Sequence, residues 1–262
     1  MTVFQAIILG IVQGLTEFLP VSSSAHLNIF PWLFNWAAIP DSFDVALHFG
    51  TLLALCIYFF KDWIKLITSG YKQIVKKEKS VEGRLFWYIV IVTLPTGIVS
   101  LVLDKFSEEY LTGMAPIAIA LIVMGIILYI VDKKANQEVD LENMTFKQSF
   151  IIGLSQALAA AFPGVSRSGI TITMARAFKM DRTSSARYSF LLSAPIVLAA
   201  VVVKVTDFVF DIPFVVGVLT SFIVGLLVIK FLMKYIEKKS YKIFAIYRVI
   251  FGIIILSILF IK

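Results

Sequence analysis

The chain has 262 residues, of which 59% are hydrophobic and only 16% charged, and its mean hydropathy is +0.91. Soluble domains are close to half apolar and a quarter charged, so this composition excludes one and indicates an integral membrane protein. The net charge of +7 is gathered in particular loops, which argues for membrane orientation and against a nucleic-acid partner.

The first segment carries no basic start and no small-residue cleavage site, so no removable leader is expected. It holds a polar break in an apolar stretch, running from Gln13 through Glu17, Pro20 and Ser22-Ser23-Ser24 to His26. Proline removes a backbone donor and disfavours helix at the residue before it. Irregular backbone at membrane depth survives only where protein or a wet cavity satisfies it. The expected structure is a re-entrant helix–loop–helix hairpin that enters and leaves by the same face. A charge such as Glu17 at mid-membrane costs roughly 2.5–3.5 kcal/mol on insertion scales, which marks it as functional or paired. Gln13 lies one helical turn before Glu17, on the same face, and the serines suit the cap of the following helix. Glu17, Ser23 and His26 form a short acid, hydroxyl and imidazole set. Glu17 can act as a base or hold a divalent cation, Ser23 or His26 can attack phosphorus, and His26 can instead activate water; the residues alone do not rank these.

Apolar stretches at 45–60, 85–103 and 111–131 follow as spans, the longer ones sufficient at 1.5 Å per residue to cross a core of about 30 Å. His48 and Cys56 lie in the first of these; His48 reads as structural and Cys56 as a small core or lipid-facing residue, and one cysteine excludes an intrachain disulfide. A second polar break, Pro163-Gly164-Val165-Ser166-Arg167-Ser168-Gly169-Ile170-Thr171, predicts a second hairpin. Spans at 188–203, 212–229 and 249–261 complete a set of six, the last lengthened by a snorkelling Arg248. Shifting the first break by 143 residues places Gly10 on Gly153, Gln13 on Gln156, Pro20 on Pro163 and Ser23 on Ser166, with Arg167 opposite Ser24. Gly125 resembles Gly252 at a different offset. Each half then holds one hairpin and three spans, and an odd span number inverts the second half. The expected fold is all-α, a single polytopic unit over 1–262, with repeats over about 1–134 and 145–262.

Loops 61–84, 176–187 and 230–242 are basic, whereas Asp104, Glu108, Glu109, Asp207 and Asp211 make the alternate loops acidic. Basic loops stay in the cytoplasm, so both termini and the first hairpin's opening are expected outside. In the second break, Gly164 and Gly169 permit close backbone approach, and successive N–H groups at a helix start suit an anion. Arg167 adds a fork matched to phosphate oxygens, and Ser166, Ser168 and Thr171 add hydroxyls; Gln13 and Ser22 face the same ligand from the first break. Zinc-type ligand spacing is missing, so any metal is a hard one, Mg²⁺ or Ca²⁺, held by Glu17 and the substrate phosphates. The loops do not match a nucleotide P-loop. A secondary transporter or lipid flippase with a midplane anion site is the alternative reading.

Gln13-Gly14-Leu15-Thr16-Glu17 and Pro163-Gly164-Val165-Ser166-Arg167-Ser168-Gly169-Ile170-Thr171 together resemble the motifs of the BacA-type undecaprenyl-diphosphate phosphatase family. Gln13 takes the neutral option where many members carry a first glutamate, which shifts the load to Glu17. The resemblance implies hydrolysis of a C55 polyprenyl diphosphate to the monophosphate carrier lipid, a role in peptidoglycan synthesis, and bacitracin resistance. It further implies a multi-pass protein of a bacterial-type cell membrane, often dimeric, with functional residues at Glu17, Ser23, His26, Ser166, Arg167 and Thr171.

Overall fold

The computed structural model describes residues 1–110 and 113–261, apart from the side chains of residues 104 and 106–110. The acidic side chains of Asp104, Glu108 and Glu109, used above for orientation, lie outside the described residues. The helices are α1 (Val3–Thr16), α2 (Ser23–Phe34), α3 (Asp41–Tyr58), α4 (Phe60–Val75), α5 (Val81–Tyr110), α6 (Met114–Lys134), α7 (Phe146–Ser155), α8 (Ala157–Ala161), α9 (Arg167–Ala177), α10 (Arg182–Lys204), α11 (Ile212–Ile236) and α12 (Lys242–Ile261). Six are long and apolar enough to cross a membrane, namely α3, α5 over Val81–Leu103, α6, α10, α11 and α12. They match the six stretches read from the sequence. No strand occurs among the described residues, which agrees with the all-α expectation.

The helix pair α1/α2 and the group α7/α8/α9 are the two broken elements, and each helix in them is shorter than a span. Thr2 and Gln5 form a capping box at the start of α1, and Thr145 and Gln148 form the same box at the start of α7. Both members of that signature are 143 residues apart, the spacing of the motif copies. The spacing then slips by one, because α2 begins at Ser23 and α9 at Arg167. The second loop accommodates an extra residue at Gly164, whose φ is +101°. Arg167 is therefore the counterpart of Ser23, not of Ser24 as simple alignment suggests.

Each hairpin packs on spans of the other half: α1 lies along α11, while α7 and α8 lie along α5. The spans pair in the same crosswise way, α3 with α11 and α10 with α5, and α6 with α12 closes the arrangement. A Cβ on Gly125 would meet the Ala245 carbonyl at 2.9 Å, and one on Gly252 would meet the Ala118 carbonyl at 2.7 Å. Each glycine lets the backbone of the opposite helix approach, which accounts for their likeness. Their separation of 127 residues is 16 less than the motif spacing, and 16 residues is the length of α4.

Helix α4 corrects the expectation of a charged loop over 61–84. Phe60, Ile64, Ile67, Tyr71 and Ile74 stand exposed at helical spacing, while Lys61, Lys65, Lys72 and Lys76 occupy other faces, the pattern of a helix lying in the membrane interface. Two cations counted toward orientation are also not free. Arg176 is fully buried and, with Arg182, binds Asp132 of α6, each Nε lying 2.9 Å from Asp132 Oδ1. Asp132 Oδ2 also accepts from the Tyr241 amide at 3.0 Å. These charges lock helix ends together; the exposed lysines carry the basic bias. Cys56 is partly buried against the main apolar core.

Candidate active site

Glu17 caps the C-terminus of α1, and Arg167 opens α9, so the two hairpin tips carry the two charges. The structure brings them into contact, Arg167 Nη2 donating to Glu17 Oε1. The other carboxylate oxygen, Oε2, accepts from Ser23 Oγ at 2.6 Å and Gln13 Nε2 at 3.1 Å. Ser168 Oγ donates to the Glu17 carbonyl at 3.1 Å, tying the tips a second time. A cavity of about 220 Å³ opens beside this pair, and Glu17, Ser23, Ser24, Ser166, Arg167 and Ser168 line it.

Both loops reach the cavity in the same local geometry. Ser22 and Ser166 are the N-caps of α2 and α9, with φ of 75° and 73°. Each hydroxyl accepts from the amide three residues on, Ala25 at 3.3 Å and Gly169 at 3.1 Å. A left-handed serine is uncommon and costs of order 1–3 kcal/mol, an arrangement that clusters at functional sites. The helices that follow begin at cavity-lining residues, so two positive helix ends converge where an anion would sit.

Other expected residues lie differently. His26 faces away from the cavity: Nδ1 donates to the Ser22 carbonyl at 2.7 Å, and Nε2 lies 2.7 Å from Tyr247 Oη. Its ring stacks on Phe251 with centroids 4.6 Å apart. With both nitrogens engaged and no edge in the cavity, it fastens α2 to α12. Thr171 is fully buried and bonds Ser189 Oγ at 2.6 Å and the Arg167 carbonyl at 2.9 Å, so it supports the turn from behind. Gly164 contributes its carbonyl to Arg248 at 2.8 Å. A Cβ on Gly169 would meet Arg248 Nη1 at 2.6 Å.

Two residues were missed. His48, read as structural, lies with Nε2 3.3 Å from Glu17 Oε2 and lines the cavity. Its Nδ1 is 3.0 Å from the Asp44 carbonyl, which orients the ring. The available signal was a polar face on an apolar span, Asp44, His48 and Thr51 at helical spacing. Arg248, expected to snorkel, is instead wholly buried. Its guanidinium donates to Pro20 at 3.0 Å, Gly164 at 2.8 Å and Val165 at 2.9 Å, all backbone carbonyls of the two loops. No carboxylate among the described residues pairs with it. One span of the second half thus staples both tips, with its guanidinium behind the two loops. Arg248→Met is expected to lower unfolding stability by about 3 kcal/mol, since several buried carbonyls lose their donor together. Thermal unfolding in detergent measures this, and a midpoint indistinguishable from wild type would contradict it.

The donor set also bears on a divalent cation. Among the described residues no three His, Cys, Asp or Glu side chains cluster. However, Gln13 Oε1 and Gln156 Oε1 are buried without hydrogen-bond partners, and Gln156 lines the cavity with Glu17. Two amide oxygens and a carboxylate are hard ligands that fit Mg²⁺ or Ca²⁺ when phosphate oxygens complete the shell.

With the six spans, this arrangement makes the chain a polytopic membrane protein whose two hairpin tips jointly line one polar pocket bearing Glu17 and Arg167. It belongs to the family described as bacitracin resistance protein BacA, which matches residues 6–254. It is 45% identical to an undecaprenyl-diphosphatase of Caldicellulosiruptor bescii, over 98% of this chain and 97% of that one. It is 44% identical to an undecaprenyl-diphosphatase of Desulforudis audaxviator over 98% of both, and 42% identical to one of Moorella thermoacetica over the whole of both.

Proposed function

We propose that this protein is an undecaprenyl-diphosphatase, hydrolysing undecaprenyl diphosphate to the monophosphate carrier lipid and inorganic phosphate. By recycling the carrier it serves cell-wall synthesis, and by removing the diphosphate that bacitracin binds it confers resistance. The observation that carries the reading is the Glu17–Arg167 contact between hairpin tips, with Ser23 Oγ 2.6 Å from the carboxylate.

The terminal phosphate takes Arg167 from Glu17, because a doubly charged group in the same fork competes well with a single carboxylate. Arg167, the Ser166 and Ser168 hydroxyls and the starts of α2 and α9 hold the non-bridging oxygens and stabilise charge during transfer. Ser23 Oγ attacks the terminal phosphorus while the bond to the bridging oxygen breaks, and Glu17 accepts the hydroxyl proton. The lipid monophosphate leaves with the bridging oxygen. Water then attacks the phosphoserine, releases inorganic phosphate, and the proton on Glu17 returns to Ser23. His48 and Gln13 hold the carboxylate from the α3 and α1 sides. When bound by Glu17, Gln13 and Gln156, a divalent cation supplies positive charge that offsets the diphosphate.

Reconstituted protein given undecaprenyl diphosphate and Mg²⁺ or Ca²⁺ should release inorganic phosphate. Absence of release, together with altered anion transport in Glu17→Gln, would favour the transporter reading instead. The two halves, about 1–134 and 145–262, act as one unit, and a homodimer in the bacterial plasma membrane is the expected assembly. The lysines of α4 and of residues 230–242 favour a cytoplasmic side for those ends and an external side for both termini. Ser24 lines both the reaction cavity and a second cavity shared with Asp41, Asp44 and Trp36 near the start of α3. This neighbour supports a reading in which the site is reached from the external face. An impermeant thiol reagent added to intact cells should label Ser24→Cys in a Cys56→Ala background; labelling confined to inverted vesicles would reverse the orientation.

A further inference from the structure

The phosphate end of the reaction cavity accounts for only part of its lining. The rest comes from Ser100 of α5, Ala159 and Ala160 of α8, and Ile196 of α10. These residues lie on spans and on the broken helix, and their surroundings are apolar. Leu94, Ile98 and Leu101 of α5, Leu198 and Val202 of α10, Leu158 of α8 and Phe162 just after it are all exposed. The end of the cavity away from Arg167 is therefore lined from helices that also carry exposed apolar side chains.

Gly97 lies on α5 three residues before the cavity-lining Ser100 and faces the cavity-lining Ile196. Unlike most glycines in this protein, which are pressed against a neighbouring backbone or side chain, a Cβ on Gly97 would find a single atom in reach, Ile196 Cδ1 at 3.9 Å. The two helices that meet here each carry an internal proline close by, Pro95 in α5 and Pro195 in α10. Proline removes a helical hydrogen bond and bends the helix there. Small residues at Gly97, Ala159 and Ala160 keep this side of the cavity free of bulky side chains.

We infer that the gap between α5 and α10, floored by α8, is where the isoprenoid tail of the substrate passes from the diphosphate site into the bilayer. Its continuity with the phosphate-binding end argues for that occupant, since the tail must leave the head group through whichever opening the site shares with lipid. An aqueous exit would strand a long hydrocarbon in water at roughly 25 cal/mol per Å². The inference rests on the diphosphatase reading for the identity of the head group, and its test does not depend on turnover.

Gly97→Cys, made in a Ser23→Ala background so that the ligand persists, places a thiol in the gap. Modification by a maleimide, read residue by residue by mass spectrometry with Cys56 as internal reference, is compared in undecaprenyl diphosphate and in inorganic diphosphate. The lipid is expected to slow labelling of the Gly97→Cys thiol about tenfold while inorganic diphosphate leaves it within about twofold, because only the tail crosses the gap. Equal protection by the two ligands, or none by either, would overturn the inference. A second reading uses the single Gly97→Cys variant. Once labelled it should lose about tenfold in kcat/KM for undecaprenyl diphosphate relative to its unlabelled form, a difference of about 1.4 kcal/mol in transition-state binding. Unchanged turnover after complete labelling would also overturn it. Failure of the diphosphatase reading shows separately, as absence of phosphate release by unmodified protein.

Discussion

Ser23→Ala is expected to reduce kcat/KM for undecaprenyl diphosphate by about ten-thousandfold, close to the background left by binding and electrostatics alone. The side chain is small and almost buried, and its hydroxyl makes one close contact, the 2.6 Å bond to Glu17. Its removal leaves α2 intact, because the cap of that helix is the neighbouring Ser22. The loss should therefore appear in turnover and not in thermal stability. Rapid acid quench of wild type with substrate labelled in its terminal phosphate should trap label on the peptide containing Ser23. A Ser23→Ala enzyme within tenfold of wild type would remove the serine as nucleophile and leave water, positioned by Glu17, as the attacking group.

Arg167→Ala is expected to cost about a thousandfold in kcat/KM, or roughly 4 kcal/mol of transition-state stabilisation. Two effects add. The transferring phosphoryl group loses the only lysine or arginine that lines the reaction cavity among the described residues, and Glu17 loses its guanidinium partner in a partly enclosed site. Arg167→Lys should recover little, because a point charge does not reproduce the planar fork. Phosphate release measured over a range of substrate concentrations separates the contributions, with both a raised KM and a lowered kcat expected. Kinetics like those of wild type would place the arginine outside the reaction.

The sequence was most legible where physical chemistry is least forgiving. Long uncharged stretches had no alternative to spanning helices, and Glu17 and Arg167 were expensive enough in that setting to predict a shared location. The polar breaks at Pro20 and Pro163 likewise marked where the helices end. What escaped depended on three-dimensional neighbours. His48 sits in Ala-Leu-His-Phe-Gly, where nothing local distinguishes a site residue from a packed one, and only the arrival of α1 beside α3 puts it against Glu17. His26 had the better local context, yet α12 supplies Tyr247 and Phe251 and turns it away. Arg248 looked like a flank of a short span, because the carbonyls that bind it are more than 80 residues distant. Helix α4 was hidden by its lysines, which mask an apolar stripe visible only at helical spacing. The one-residue slip between the loops followed from backbone conformation at Gly164, a property that identity matching does not register.

The contact between Glu17 and Arg167 has a bearing on biogenesis. The carboxylate is synthesised 150 residues before the guanidinium that neutralises it. A ribosome-bound chain inserting into the membrane thus holds this acid at its first tip without its arginine until nearly two-thirds of the chain is made, and the staple on α12 arrives later still. Neither half made alone would contain the finished pocket, because its lining is drawn from both.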